Sequence, residues 1–135
     1  MLGASMCPFC DPLVWQRESV GIDNELCLFI SRPALILPGS GIIITRRHCP
    51  TLFEMTSEEW QASYDVLQRV QAYLDALFHP AGYNIGWNVG AIGGQEVFHV
   101  HMHVIPRFAD EPLAGKGIRY WLKQEANRRP DAGQE

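Results

Sequence analysis

The chain has 135 residues and a formal net charge of −4, enough sequence for one domain with a real core. No apolar run approaches the ~20 residues of a membrane span, and no basic-then-apolar leader pattern is seen, so a soluble cytoplasmic protein with no membrane partner is expected. The acidic balance argues against a dedicated nucleic-acid binder.

Cys7 and Cys10 come first, a C-x-x-C pair around Pro8 and Phe9. A thioredoxin-type pair follows a strand and opens a helix, and too little chain precedes this one, so zinc is the preferred reading. Disulfides are not expected in a reducing compartment. Short strands are predicted at 14–17, 26–30, 41–45, 83–89 and 97–105. Cys27 lies in the second of these and reads as a small buried hydrophobe. Cys49 adjoins His48, and its role stays open. Between the third and fourth strands, Thr56-Ser57-Glu58-Glu59 reads as a capping box with Thr56 as N-cap. Trp60, Tyr64, Leu67, Val70, Leu74 and Leu77 then recur at three- and four-residue spacings, a helical stripe read as core. Pro80-Ala81-Gly82 ends it. A second helix is predicted over 117–127, followed by a polar end from Arg128 expected to fray. From 112 to 130 five basic residues (Lys116, Arg119, Lys123, Arg128, Arg129) face one acid, Glu125. That run is either a solvated face or an attractor for a polyanionic substrate. Too few helices are present for a doubly wound sheet. The expected fold is α+β over residues 1–135 as a single domain: an antiparallel sheet of about five strands, one long helix packed on it, and a short C-terminal helix.

The chemistry concentrates in His99-Val100-His101-Met102-His103-Val104-Ile105-Pro106-Arg107. In a strand the three histidines share one face and the apolar residues enter the core. Neighbours on that face stand about 7 Å apart at a rise of about 3.4 Å per residue, too far for all three to hold one metal. The row suits an extended anionic ligand. Just upstream, Gly90-Ala91-Ile92-Gly93-Gly94-Gln95 offers backbone N–H groups to phosphate oxygens.

These residues resemble the histidine triad (HIT) family, whose motif of histidines alternating with apolar residues matches 99–105. The likeness extends to the run from Asn88 to Gln95, to Pro38-Gly39, and to Arg46-Arg47-His48. The zinc-containing bacterial branch, related to dinucleoside polyphosphate hydrolases, is the nearest in pattern. The resemblance implies a structural zinc held by Cys7, Cys10, His48 and His99, a closed set of two thiolates and two imidazoles. It implies His101 as nucleophile, oriented by the His99 carbonyl, with His103 contacting phosphate or assisting proton transfer. Asn88, Gln95 and the amides of Gly93 and Gly94 would hold non-bridging oxygens as phosphorus becomes five-coordinate. Arg107 is either a further phosphate contact or a salt-bridging residue. The implied function is a nucleotide hydrolase or transferase acting at the α-phosphate of dinucleoside polyphosphates or nucleoside phosphoramidates through a nucleotidyl-histidine, in a homodimer. The alternative is a nucleotide-binding sensor or scaffold with little turnover.

Three positions depart from the family pattern. Ser40 stands where many relatives have histidine. Arg32 falls at the usual place of an acidic ribose contact, and it cannot accept those hydrogen bonds. Glu96 follows Gln95 where Ser or Thr is common; its carboxylate either repels phosphate, faces away, or serves as an acid to the leaving group.

Overall fold

The computed structural model describes residues 7–32 and 36–130; the end of the polar tail, 131–135, lies outside them. At the N-terminal end Asp11 accepts a hydrogen bond from Leu13 N, and Pro12 occupies the first helical position. Both are helix-start signals, and they make Pro12–Glu18 a helix, α1, where a strand at 14–17 is predicted. The first strand, β1, follows at Ser19–Asp23. Next come β2 (Cys27–Ser31), β3 (Gly41–Thr45), the long helix α2 (Ser57–Phe78), β4 (Gly82–Gly86) and β5 (His101–Arg107).

The strands form one antiparallel sheet in the order β1-β2-β3-β5-β4. A Cβ at Gly41 would stand 2.5 Å from the Phe29 ring and 2.6 Å from the Ile30 carbonyl oxygen. Only glycine therefore fits where β3 meets β2. Side-chain alternation gives the sheet two different faces. Cys27, Phe29, Ile43, Met102 and Val104 pack against Val66, Val70 and Leu74 of α2. Leu28, Ile30, Ile42 and Ile44 lie on the opposite face with Cys7 and Phe9. Full burial of each α2 aliphatic side chain contributes roughly 1.5–3 kcal/mol, so α2 is the main clamp on the first face. The second face is left for chemistry.

Helix α2 begins as expected. Thr56 accepts from Glu59 N at 3.0 Å, and Glu59 reaches back to Thr56 N at 2.9 Å. It ends at His79, in the left-handed region with φ 50°, one residue before Pro80. Its buried face differs from the expected stripe. Glu59, Ala62, Ser63, Val66, Val70 and Leu74 are buried, while Trp60, Tyr64 and Leu77 are about half exposed. The small residues Ala62 and Ser63 let the helix approach the sheet, and Trp60 turns outward to stack on Trp87 with ring centroids 5.4 Å apart. The segment after β5 also differs. The short C-terminal helix is present, but as two 3₁₀ helices, Ile118–Lys123 and Glu125–Asn127, with no buried residue, rather than one run over 117–127. Among the described residues no helix is long and apolar enough to cross a membrane.

Candidate active site and metal centre

The predicted strand at 97–105 begins only at His101. The reason lies at the end of β3. The Thr45 carbonyl, which would continue the ladder, instead accepts from His99 Nε2 at 2.7 Å. Val100 N bonds to the Cys49 carbonyl at 2.7 Å. His99 thus leaves the row and turns Nδ1 toward the N-terminal cysteines, 3.4 Å from both Cys7 Sγ and Cys10 Sγ. His48 Nδ1 stands 3.2 Å from Cys10 Sγ. All four ligand atoms lie within 4.8 Å of one another.

Tetrahedral Zn–S and Zn–N bonds of about 2.3 and 2.0–2.1 Å place such atoms roughly 3.5 Å apart, so the donor set fits zinc. The Thr45 carbonyl fixes the His99 tautomer by accepting a hydrogen bond from Nε2–H, which leaves the Nδ1 lone pair on the cluster side. Burial drives the His99 pKa down to about 4, keeping the ring neutral, as a ligand must be. Burial, and then the neighbouring Cys7 thiol, push Cys10 up to about 11; a bound divalent cation would favour the Cys10 thiolate instead. A closed set of this kind is structural. It joins the N-terminal turn, the end of β3 and the entry to β5. Cys49 is buried 3.8 Å from Thr45 Oγ1 and stays outside the cluster.

His101 and His103 remain on the open face, opposite Ile44 and Ile42 of β3. Their ring centroids are 4.9 Å apart, closer than the backbone repeat because the rings lean together. His101 Nδ1 lies 2.8 Å from the His99 carbonyl oxygen. A carbonyl only accepts, so Nδ1 carries the proton and Nε2 holds the lone pair. Burial lowers the pKa of His101, with the Arg32 charge adding to it, and burial followed by His101 lowers that of His103. Both rings are neutral at pH 7. His103 Nε2 is buried without a hydrogen-bond partner among the described residues, an atom awaiting a donor or acceptor.

A pocket of about 650 Å³ opens over these rings, its walls including Phe9, Arg32, Ile42, Asn88, Glu96 and Val97. Phe9 stands edge-on to His101 at 5.1 Å, and the Arg32 guanidinium lies 5.3 Å from the centre of the Phe9 ring. Arg32 also pairs with Glu18 at 2.5 Å. Ser40 lines the pocket and donates its hydroxyl to the Leu37 carbonyl at 2.7 Å. Phe9 and Ile42 were not singled out in the sequence. Their apolar character carries no local sign of a pocket, although Phe9 inside the C-x-x-C turn must lie beside whatever the cysteines hold.

In the glycine loop the expected phosphate donors are bonded within the chain. The N–H groups of Gly93 and Gly94 bond to the carbonyls of Gly90 and Ala91, and Gln95 N also bonds to Gly90. The Gln95 side chain is buried, accepting from Gly90 N and donating to the carbonyls of Pro50 and Val97. These donors, expected on phosphate oxygens, therefore brace the loop. The tight fold explains the glycines: a Cβ on Gly93 would meet the Val89 carbonyl oxygen at 2.5 Å, and Gly94 has φ +102°. Gly94 and Asn88 still border the pocket. Arg107 lies outside it, saturated by Glu111, Asn84 and the carbonyls of Leu113 and Lys116. Of its two readings, the salt bridge is the one present.

A family model described as the HIT domain matches residues 16–110. The chain belongs to the HIT family. It is 30% identical over 125 residues to a HIT-like protein of Mycoplasma genitalium, covering 92% of this chain and 86% of that one. Similarity to the asymmetrical bis(5'-nucleosyl)-tetraphosphatase of Schizosaccharomyces pombe is 38% over 72 residues, 53% of this chain and 40% of that one. Among solved structures, a zinc-bound histidine triad protein of Mycobacterium smegmatis superposes with a TM-score of 0.67 at 27% identity. That match covers 96% of this chain and 87% of that one. The open five-stranded antiparallel sheet with one long helix is the α+β fold of this HIT family.

Proposed function

We propose that this protein cleaves a nucleotide substrate at its α-phosphate through a covalent nucleotidyl-histidine on His101. The single observation that carries the reading is the 2.8 Å contact between His101 Nδ1 and the His99 carbonyl, which leaves the Nε2 lone pair free on a half-buried, neutral ring that lines the pocket. In the first step the Nε2 lone pair forms a bond to phosphorus. The bond to the bridging atom breaks, and its electron pair departs with the leaving group. The ring becomes cationic, and the His99 carbonyl is the acceptor that stabilises the Nδ1–H of that cation. In the second step water bonds to phosphorus, the N–P pair returns to Nε2, and the water's proton passes to bulk. His103, 4.9 Å away with its Nε2 unpaired, donates to a phosphoryl oxygen or relays a proton. Asn88 is the second polar contact to the phosphate, while Gly93, Gly94 and Gln95 act as the scaffold that holds it. Cys7, Cys10, His48 and His99 would hold zinc, whose cross-linking would help to fix the His99 carbonyl.

The working protein is a homodimer in this reading. Strand β4 is a sheet edge, and Ile85 on it and Trp60 on α2 are about half exposed.

The test is a quenched reaction with a dinucleoside polyphosphate, analysed by mass spectrometry. A nucleotidyl adduct on His101 is expected. In His101→Ala the adduct and turnover disappear, while nucleotide affinity stays within about tenfold, or ~1.4 kcal/mol. Turnover at the native rate in that variant would refute the covalent route.

A further inference from the structure

Beyond the pocket over His101 a second cavity of about 500 Å³ runs toward β4, its walls including Asn84, Trp87, Asn88, His103, Lys116 and Gly117. It shares Asn88, His103 and Ile105 with the first pocket. The two hollows therefore meet at His103, whose Nε2 is the buried, unpartnered atom. The outer wall, Lys116 and Gly117, belongs to the segment after β5, and that segment is anchored. Arg107 donates to the carbonyls of Lys116 at 2.5 Å and Leu113 at 2.8 Å, and to Glu111 Oε1 at 2.6 Å, while also bonding the Asn84 side chain of β4. The turn needs Gly115 at φ +87°. A saturated arginine thus fastens the turn bearing Lys116 across the sheet edge.

Charge sets what this cavity accepts. Among the described residues no carboxylate lines it, and none of their ion pairs involves Lys116. Its ammonium lies 5.5 Å from the Tyr120 ring, a contact that leaves the positive charge uncompensated. Displacement at phosphorus sends the leaving group away from the attacking Nε2, so a group bound over His101 must depart through an adjoining space. We infer that this second cavity is the leaving-group site and that Lys116, fastened by Arg107, selects leaving groups that carry phosphate over those that leave as an amine. A departing phosphate gains negative charge as its bond to phosphorus breaks, and a fixed cation lowers that barrier. A departing amine takes up a proton and meets like charge. The inference rests on the nucleotidyl-transfer reading for its reaction, but the anion site is measurable without it.

The test compares native protein, Lys116→Gln and Lys116→Arg on two substrates: a diadenosine tetraphosphate and an adenosine phosphoramidate of a simple alkylamine. Lys116→Gln is expected to lower kcat/KM on the tetraphosphate about tenfold and to raise it about twofold on the phosphoramidate, whose departing amine no longer meets a like charge. Lys116→Arg retains the native preference. Calorimetric titration with inorganic tripolyphosphate supplies the readout that needs no turnover, and Lys116→Gln should weaken that binding about tenfold. An equal fall on both substrates, or tripolyphosphate affinity unchanged by Lys116→Gln, overturns the assignment. If native protein cleaves neither substrate yet binds tripolyphosphate through Lys116, the anion site stands and the nucleotidyl-transfer reading falls.

Discussion

Replacing Arg47 by alanine tests how the site is held from behind. Arg47 directly precedes the zinc-set residue His48. Its guanidinium grips Glu59 at the start of α2, with Nε 3.0 Å from Oε2 and Nη2 2.7 Å from Oε1. Glu59 also accepts from Thr56 N and has only 4% of its side chain exposed, against 50% for Arg47. The two partners are therefore unequal. Removing the arginine strands a buried carboxylate, a loss that typically costs 3–5 kcal/mol when both partners are buried. Water reaching the half-exposed guanidinium space moderates this to about 2–3 kcal/mol. Glu59→Gln leaves a cation that water can solvate and keeps an oxygen for Thr56 N, so its cost is about 1 kcal/mol.

The pH dependence carries a sign. The Arg47 guanidinium holds the Glu59 carboxyl below its usual range. The pair's contribution is present above the unfolded-state pKa of a glutamate and is lost as pH falls through the lower folded value. In Arg47→Ala burial dominates and raises that pKa, so at neutral pH the variant is less stable and acid relieves part of the deficit. Urea denaturation of both variants at pH 7 and pH 4.5 measures this. Equal costs for the two substitutions at pH 7, or a deficit in Arg47→Ala that grows toward pH 4.5, would refute the reasoning.

Three further outcomes follow from other parts of the molecule. Cys10→Ser should reduce bound zinc from one per chain toward zero in protein purified without chelator, and lower stability by about 3 kcal/mol, near 10 °C in Tm; unchanged zinc content would remove Cys10 from the set. Glu96 is exposed on the wall of the His101 pocket, so Glu96→Gln should tighten nucleotide binding about two- to fivefold by removing a like charge; slower turnover with a flattened pH–rate profile would instead make it an acid to the leaving group. Under the homodimer proposal the native protein sediments as a dimer and Trp60→Glu, on the outward face of α2, as a monomer; a monomeric native protein would overturn the dimer, and a dimeric variant would place the interface elsewhere.

Much of this fold can be read locally, and the misreadings have local causes. Strand β3 is a run of isoleucines opened by a glycine and ended by basic residues, and its limits coincide with the predicted 41–45. The segment at 14–17 reads as a strand from Val14 and Trp15, but Asp11-Pro12 is itself a helix-start signal, and it prevails. In α2 the period is visible while the phase is not. Large aromatic residues define the expected stripe, yet the sheet is met by Ala62, Ser63 and Val66. Trp60 instead finds Trp87, which lies just beyond β4 and is brought there by the fold.

The residues of the site divide along the same line. His101 and His103 share a face because alternation in a strand is a property of the backbone. The exit of His99 from their row depends on the Thr45 carbonyl at the end of another strand, a partner that spacing cannot reveal. Gln95 and Arg107 show the limit most plainly. Each carries donors suited to phosphate, and residue type alone cannot tell an oxygen of substrate from an oxygen of the chain. Five acceptor contacts from Asn84, Glu111, Leu113 and Lys116 surround one guanidinium. That saturation occupies every guanidinium N–H, and it also keeps the backbone of Lys116 beside the cavity that adjoins His103. Under the leaving-group proposal, an arginine whose hydrogen bonds are all internal bears on the reaction through the lysine whose backbone it holds.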